Sequence, residues 1–132
     1  MSFELTHVCP SCGEERDAQY DMSVANALIK SKKYPYALFM GHLALEKLIK
    51  ALIVKSKKTH APFSHSLPFL AENANMEFPE DMLVHLREFM EFHFEARYPD
   101  VTKEFYKKCT RSYTDRQLKE MKKVFKWIKA RL

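Results

Sequence analysis

Apolar residues recur at three- and four-residue steps along most of this chain, a spacing that predicts α-helices. The densest example begins at Tyr34-Pro35, where proline suits a first helical turn, and it continues to about residue 53. Its apolar residues cover several sides of the predicted helix, so we expect it at the centre of the fold. Gly41 interrupts them at a cost of about 1 kcal/mol relative to alanine, which indicates a close helix crossing.

Four more segments show the same periodicity, over residues 17–32, 67–74, 79–95 and 114–132. Ser64 is the expected cap of the short second segment, since serine oxygens accept from free N–H groups at a helix start. Pro99 ends the third, because the residue before a proline avoids the helical region. Thr114 and Gln117 have the spacing of a capping box for the last. The pattern predicts an all-α, up-and-down four-helix bundle with a short extra helix.

The N-terminal segment differs from the rest of the chain. Residues 1–16 have no helical period and contain a Cys-Pro-x-Cys-Gly string that is typical of a turn. We therefore divide the chain into an irregular Cys-x-x-Cys arm over residues 1–16 and a helical bundle over residues 17–132.

The cysteines of this arm raise the question of a metal. Cys9 and Cys12 supply half of a tetrahedral zinc site, and His7 is a possible third ligand. Cys109, His60 or a neighbouring subunit would have to supply another. Zinc bound here would be structural and would hold the arm against the bundle; without zinc, the cysteines are free thiols.

Length and composition narrow the class of protein. A chain of 132 residues is long enough for one domain with an ordinary core. Two glycines are too few for a turn-rich β fold, and no apolar run approaches the ~20 residues that span a bilayer. We see no signal peptide, and three cysteines, an odd number, suit a reducing compartment. We therefore expect a cytoplasmic protein that does not enter a membrane.

The net charge of +5 is unevenly distributed. Residues 1–29 and 59–100 have net charges of −4 and −6, whereas residues 30–58 and 101–132 have +7 and +8. The alternation has two interpretations. Solvated helix faces of opposite sign would attract one another within the bundle, or the basic segments would form a surface that concentrates phosphates.

Three motifs, taken in order, carry a resemblance to a known family. A central helix contains a Tyr-x-x-Ala pattern followed by Ala-x-Glu-Lys-x-x-Lys-Ala, here Tyr34, Ala37, Ala44, Glu46, Lys47, Lys50 and Ala51. A Ser-His-x-Leu helix start follows at Ser64, His65 and Leu67, and a later helix runs into Ala-Arg-Tyr-Pro-Asp at residues 96–100. Over residues 17–132 the chain resembles the HEPN domain, the higher eukaryotes and prokaryotes nucleotide-binding domain.

The resemblance implies a four-helix bundle with a short extra helix, usually dimeric. Family members include nucleotide- or RNA-binding modules, toxin components partnered with minimal nucleotidyltransferases, and metal-independent ribonucleases. The leading hypothesis is a homodimeric protein that binds a nucleotide or RNA phosphate, within a toxin–antitoxin or stress system. An interaction module for a nucleotidyltransferase, without chemistry of its own, is one alternative.

The predicted phosphate-binding residues are Arg97, Tyr98, Asp100 and Lys47. Arg97 has the forked geometry that binds phosphate, Tyr98 could stack on a base, and Asp100 could orient Arg97 or accept from a ribose hydroxyl. A structural role competes with this one. Tyr98 would then pack on the core, and Arg97 would pair with Asp100 or with Glu46, whose charge needs a partner on so apolar a helix.

A second alternative is catalytic. Ribonuclease members of the family carry Arg, four to six residues and then His, and Arg87 and His93 have five residues between them. Histidine would act as general acid or base while arginine stabilises phosphorane-like charge, without a metal. Six helical steps separate the two side chains by about 120°. They would therefore meet only through a helix kink or across a dimer.

Overall fold

The computed structural model describes residues 10–96 and 103–132, with side chains in the first helix from residue 13 onward. These ranges form six helices: α1 Pro10–Lys30, α2 Tyr34–Lys57, α3 Leu67–Glu72, α4 Glu80–Glu95, α5 Lys103–Lys108 and α6 Arg111–Lys129. No strand occurs within them. The predicted all-α, up-and-down bundle is confirmed, with α3 as the expected short helix. The short α5 was not predicted.

The central position of α2 is also confirmed. It packs against α1, α3, α4 and α6, and twelve of its 24 residues are buried. A surface helix would bury only one stripe, so burial on this scale requires neighbours on several sides. Within the described ranges, no helix is long and apolar enough to cross a membrane.

Gly41 lies at the crossing of α2 and α6. A Cβ atom added at Gly41 would come within 2.5 Å of Met121 Sδ and 3.3 Å of Leu118 Cδ1. The close helix approach expected from the sequence is therefore present, and it explains why glycine is tolerated within α2.

Two predicted caps are wrong by a few residues. Ser66, not Ser64, caps α3, where its side chain accepts from the N–H of Phe69. Thr110 caps α6 by accepting from the N–H of Tyr113, and Thr114 is a fully buried residue inside the helix. Two serines precede α3, and two threonines, Thr110 and Thr114, lie near the start of α6; in both places the sequence alone did not show which one has the extended backbone of a cap.

The first helix begins earlier than predicted. It starts at Pro10, so residues 10–16, expected in an irregular arm, are helical, and the division after residue 16 falls inside α1. Proline fits the first helical position because its missing N–H would have no partner there. Residues 1–9 lie outside the described ranges.

Candidate functional site

Three imidazoles and a carboxylate meet where α2 passes α4 and the segment before α3. His42 and Glu46 are one turn apart on α2, His65 precedes α3, and His93 is in the last turn of α4. The ring centroid of His93 lies 4.9 Å from that of His42 and 4.8 Å from that of His65. We refer to His42, His65 and His93 as the imidazole cluster.

Glu46 is the charged centre of this site. Its residue is 5% exposed, and a carboxylate buried to that degree is costly unless it has hydrogen-bonded partners. Lys50 Nζ lies 3.0 Å from Glu46 Oε2, one helical turn away. The Nδ1 atom of His65 lies 3.1 Å from both carboxylate oxygens. The buried charge thus has two partners that belong to different elements of the chain.

His42 fixes the segment that carries His65. It is fully buried, and its Nε2 lies 3.2 Å from the backbone oxygen of His65, so Nε2 donates there. Burial lowers the pKa of His42 to about 4, although the charge of Glu46 opposes the shift. At neutral pH the 4.0 Å approach of His42 Nδ1 to Glu46 Oε1 is therefore not an ion pair. His42 acts as a neutral structural residue.

His65 differs from the other two imidazoles because it reaches the solvent. Its side chain is 60% exposed, whereas His42 and His93 are buried. Glu46 accepts from Nδ1, and one ring face stacks on His93 at an interplanar angle of 26°. With Nδ1 bound to Glu46, Nε2 is the ring nitrogen that has no hydrogen bond to the described residues. A carboxylate bound to one imidazole nitrogen fixes the tautomer and orientation of the ring.

Such an imidazole has defined chemistry. In its neutral form Nε2 accepts a proton from a hydroxyl group, and in its protonated form Nε2 donates to a phosphate oxygen.

Exposed aromatic rings lie close by. Phe94 is 57% exposed and meets His93 edge-on at 5.2 Å, and Phe63, two residues before His65, is fully exposed. Exposed rings of this kind can stack on nucleobases.

Lys47, predicted to bind phosphate, faces α1. Its Nζ lies 2.8 Å from Asp21 Oδ2, with the Lys47 side chain 33% exposed. Burial alone would lower the pKa of Lys47, but the hydrogen bond and charge of Asp21 outweigh that effect and raise it. A phosphate would have to compete with Asp21 for this cation.

Arg87 and His93 lie in different environments on α4. Arg87 is exposed and its guanidinium lies 3.8 Å from Glu80 Oε2, whereas His93 is buried within the imidazole cluster. α4 continues as one α-helix from Arg87 to His93. Within one subunit, therefore, the two residues do not form the catalytic pair that their spacing allows, and the alternative of a pair completed across a dimer stays a prediction.

The other predicted ligands fall mostly outside the described residues. This applies to Arg97, Tyr98 and Asp100 as well as to His7 and Cys9, and the side chain of Cys12 is also not described.

The possible further zinc ligands are described. Cys109 is a buried free thiol, and burial raises its pKa to about 12, which disfavours the thiolate that zinc binds. His60 is exposed. Within the described ranges, no group of three or more His, Cys, Asp or Glu residues has the arrangement of a metal site.

The sequence indicated that Glu46 needs a partner and predicted Arg97, which lies outside the described residues; the contacts with His65 and Lys50 were not predicted. The Lys50 contact has a visible sequence basis, because residues four apart share a helix face. The His65 contact joins residues 19 apart through an irregular segment. No periodicity predicts such a contact, although both residues belong to the motifs that carried the family resemblance.

One family model and two solved structures are similar to this chain. The family described as HEPN domain matches residues 15–131. The structure is similar to that of TT1696 from Thermus thermophilus, with a TM-score of 0.81 at 18% identity, covering 95% of this chain and 100% of that one. It is also similar to ST0689, an archaeal HEPN homologue, with a TM-score of 0.73 at 20% identity, covering 94% and 98%. At these identities the likeness concerns the fold. A comparison with functionally curated proteins gives no match.

Proposed function

Since this chain belongs to the HEPN domain family, we propose that it binds a nucleotide or RNA and that His65 contacts a phosphate or ribose group of the ligand. The observation that carries this proposal is the orientation of His65 by Glu46 at 3.1 Å, combined with the exposure of its ring. A buried carboxylate that holds an exposed imidazole in one tautomer prepares a directional contact in advance.

The surroundings of His65 support a nucleotide rather than a bare anion. Phe94 and Phe63 expose aromatic surface close to His65 in space or in sequence, and bases stack on such rings. Arg97, Tyr98 and Asp100 follow α4 in sequence and remain proposed ligand residues. Lys47 also remains a proposed ligand residue, although its ammonium group already forms an ion pair with Asp21.

The test is a binding measurement with a short, fluorescently labelled single-stranded RNA and, separately, a labelled mononucleotide. The substitution His65→Gln removes the ionisable ring and should weaken affinity roughly ten-fold, as expected for loss of a hydrogen bond to a charged group. His85→Gln is the matched control. His85 is also a partly exposed histidine near carboxylates, 3.4 Å from Glu88 Oε1 and 3.5 Å from Glu120 Oε1. Its replacement should leave affinity unchanged.

A solely structural role of His65 makes a different prediction. The His65→Gln variant would then be less stable to urea but would bind RNA as wild type does once folded. Equal affinities for folded wild type and His65→Gln would contradict the proposal.

Metal-independent RNA cleavage is the second candidate function, and the same orientation of His65 favours it. Cleavage of this kind uses the 2′-hydroxyl of the substrate as nucleophile, and a positioned imidazole can take its proton. An RNA cleavage assay with chelator present distinguishes catalysis by His65 from catalysis by the Arg87/His93 pair. Loss of activity in His65→Gln but not in Arg87→Gln would identify His65, and loss in Arg87→Gln would favour the Arg87/His93 pair across a dimer.

The same proposal extends to the cellular setting of the protein. We propose that the chain forms a homodimer, binds a partner nucleotidyltransferase and acts in a toxin–antitoxin or stress system. Phe69, which is exposed and not among the rings proposed to stack on bases, offers apolar surface that a protein partner can cover. Light scattering measures the molar mass in solution and therefore tests the dimer. Co-purification with the nucleotidyltransferase encoded nearest to this chain tests whether the two proteins bind each other.

A further inference from the structure

A second polar surface lies on a different pair of helices, where the end of α1 meets the start of α6. A groove of about 430 Å³ opens there, lined by Asn26, Ile29, Lys30, Arg111, Asp115, Leu118, Lys119 and Lys122. We call it the basic groove. Four of its lining residues are cationic and one is acidic, so it has a net charge of +3.

Most of this positive charge is available to a ligand. Arg111 Nε lies 3.6 Å from Asp115 Oδ2, a pair whose members are both more than half exposed. Exposed pairs of this kind are worth little and exchange readily with a competing anion. Within the described residues, Lys30, Lys119 and Lys122 form no ion pair. Three cations of the groove therefore lack a counter-ion in the part of the chain that the structure describes.

The arrangement of these cations is extended. Arg111, Lys119 and Lys122 share one face of α6, because their spacings of eight and three residues place them within an arc of about 80° around the helix. At 1.5 Å per residue, this face is about 16 Å long. A single phosphate reaches one or two of these side chains, whereas a strand with successive phosphates reaches all of them.

The floor of the groove is partly apolar. Ile29 is only partly buried and exposes apolar surface there, above the buried Leu118. An acidic peptide would offer isolated carboxylates, while a nucleic acid strand offers regularly spaced phosphates joined by sugars that can lie over an apolar floor.

From these observations we propose that the basic groove binds the phosphodiester backbone of a single-stranded nucleic acid. The contact is electrostatic and independent of base sequence. The proposed contact at His65 would occur with a mononucleotide as well as with a strand. The contact in the basic groove would occur only with a strand.

The experiment compares two double variants on the same helix with equal loss of charge. Lys119→Gln/Lys122→Gln removes two groove cations. Arg116→Gln/Lys123→Gln removes two exposed cations that do not line the groove and lie on average about 80° further around α6. Affinity for a fluorescent oligouridylate is measured over a range of salt concentrations, together with affinity for labelled UMP.

The groove variant should bind the oligonucleotide roughly ten-fold more weakly, and its slope of log affinity against log salt should decrease by about 1.4, or 0.7 for each lost phosphate contact. The control variant should change little, and both should bind UMP as wild type does. Equal losses in the two variants, or displacement of the RNA by polyglutamate as effectively as by unlabelled RNA, would overturn the proposal.

The outcome also separates this inference from the proposed role of His65. If His65→Gln weakens UMP binding but the groove variant leaves RNA binding intact, only the groove inference fails. If the groove variant weakens RNA binding and His65→Gln changes neither ligand, only the His65 proposal fails.

Discussion

The imidazole cluster and the basic groove place polar groups in opposite environments. His42 of the cluster and the adjoining Glu46 are at most 5% exposed, and each of their contacts has a defined direction. In the groove, Lys119 and Lys122 are exposed and have no fixed partner among the described residues. A buried group contributes to stability because its hydrogen bonds and charge are not screened by water, while an exposed cation contributes mainly a field.

The two regions should control different properties of the protein. Changes in the cluster should alter the free energy of unfolding and its dependence on pH. Changes in the groove should leave stability almost constant and alter affinity for polyanions and its dependence on salt. His65 is exceptional because it joins a buried carboxylate to the solvent, and it should affect both properties.

The largest effect on stability is expected from His42→Ala. The substitution leaves a cavity in the core and removes the hydrogen bond to the His65 backbone, which should cost roughly 3–4 kcal/mol. Urea unfolding followed by circular dichroism measures this value. A loss below about 1 kcal/mol would show that His42 does not hold the segment before α3.

Acid should destabilise the protein through the same residue. The ordinary pKa of histidine is 6.5, and that of His42 in the folded protein is about 4. Between these values the unfolded chain binds a proton that the folded chain does not. Stability due to neutral His42 is therefore complete above pH 6.5 and decreases as pH falls towards 4, by up to about 3 kcal/mol.

His42→Gln is the control for this effect, because glutamine can still donate to the His65 backbone but does not titrate. Glu46, His65 and His93 remain in both proteins, so their own titrations largely cancel in the difference. The stability advantage of wild type over His42→Gln should shrink as pH falls from 6.5 to 4. A constant difference over that range would mean that His42 has an ordinary pKa.

A smaller effect is expected at the pair between α1 and α2. Asp21→Asn removes the charge that pairs with Lys47 at 2.8 Å. Because a third of the Lys47 side chain is exposed, we expect a loss of about 1 kcal/mol, which added salt should reduce. The same variant frees the ammonium group, so RNA affinity should increase if Lys47 binds phosphate. Unchanged affinity would remove Lys47 from the predicted ligand residues.

The smallest effects on stability belong to the groove and to the exposed face of α4. Lys119→Ala, Lys122→Ala and Arg87→Ala should each change the free energy of unfolding by less than about 0.5 kcal/mol. The ion pair of Arg87 with Glu80 is 3.8 Å long and exposed on both sides. A loss above about 1 kcal/mol in Lys119→Ala or Lys122→Ala would contradict the distinction between the two regions, and such a loss in Arg87→Ala would show that its ion pair with Glu80 is not merely a surface contact.

The fold could be predicted from the sequence because it depends on local periodicity. The helix over residues 34–53 and its central position follow from the spacing and number of apolar residues, and Gly41 indicated the crossing with α6. The helix starts were less accurate, because neighbouring hydroxyl residues such as Ser64 and Ser66 have equal capping ability. The Cys-Pro-x-Cys-Gly string also suggested a turn where the chain is helical from Pro10.

The site was harder to predict because its contacts are long-range. Glu46 was identified as a charge that needs a partner, but the position of His65 depends on the irregular segment between α2 and α3. His93 was identified from its spacing to Arg87, which proved uninformative within one subunit. Its stacking on His65 and His42 depends on the packing of α4 against α2, which the sequence does not determine by itself.

The most direct test of the role of His65 is the imidazole ¹⁵N spectrum of the protein, recorded above the titration range of histidine and then at neutral pH with saturating RNA. Glu46 should hold neutral His65 as the Nδ1–H tautomer, although free histidine prefers Nε2–H, and RNA should shift the Nε2 resonance of His65 but not that of His42. An Nε2–H tautomer for His65, or a His65 resonance that does not move when RNA is bound, would contradict the account.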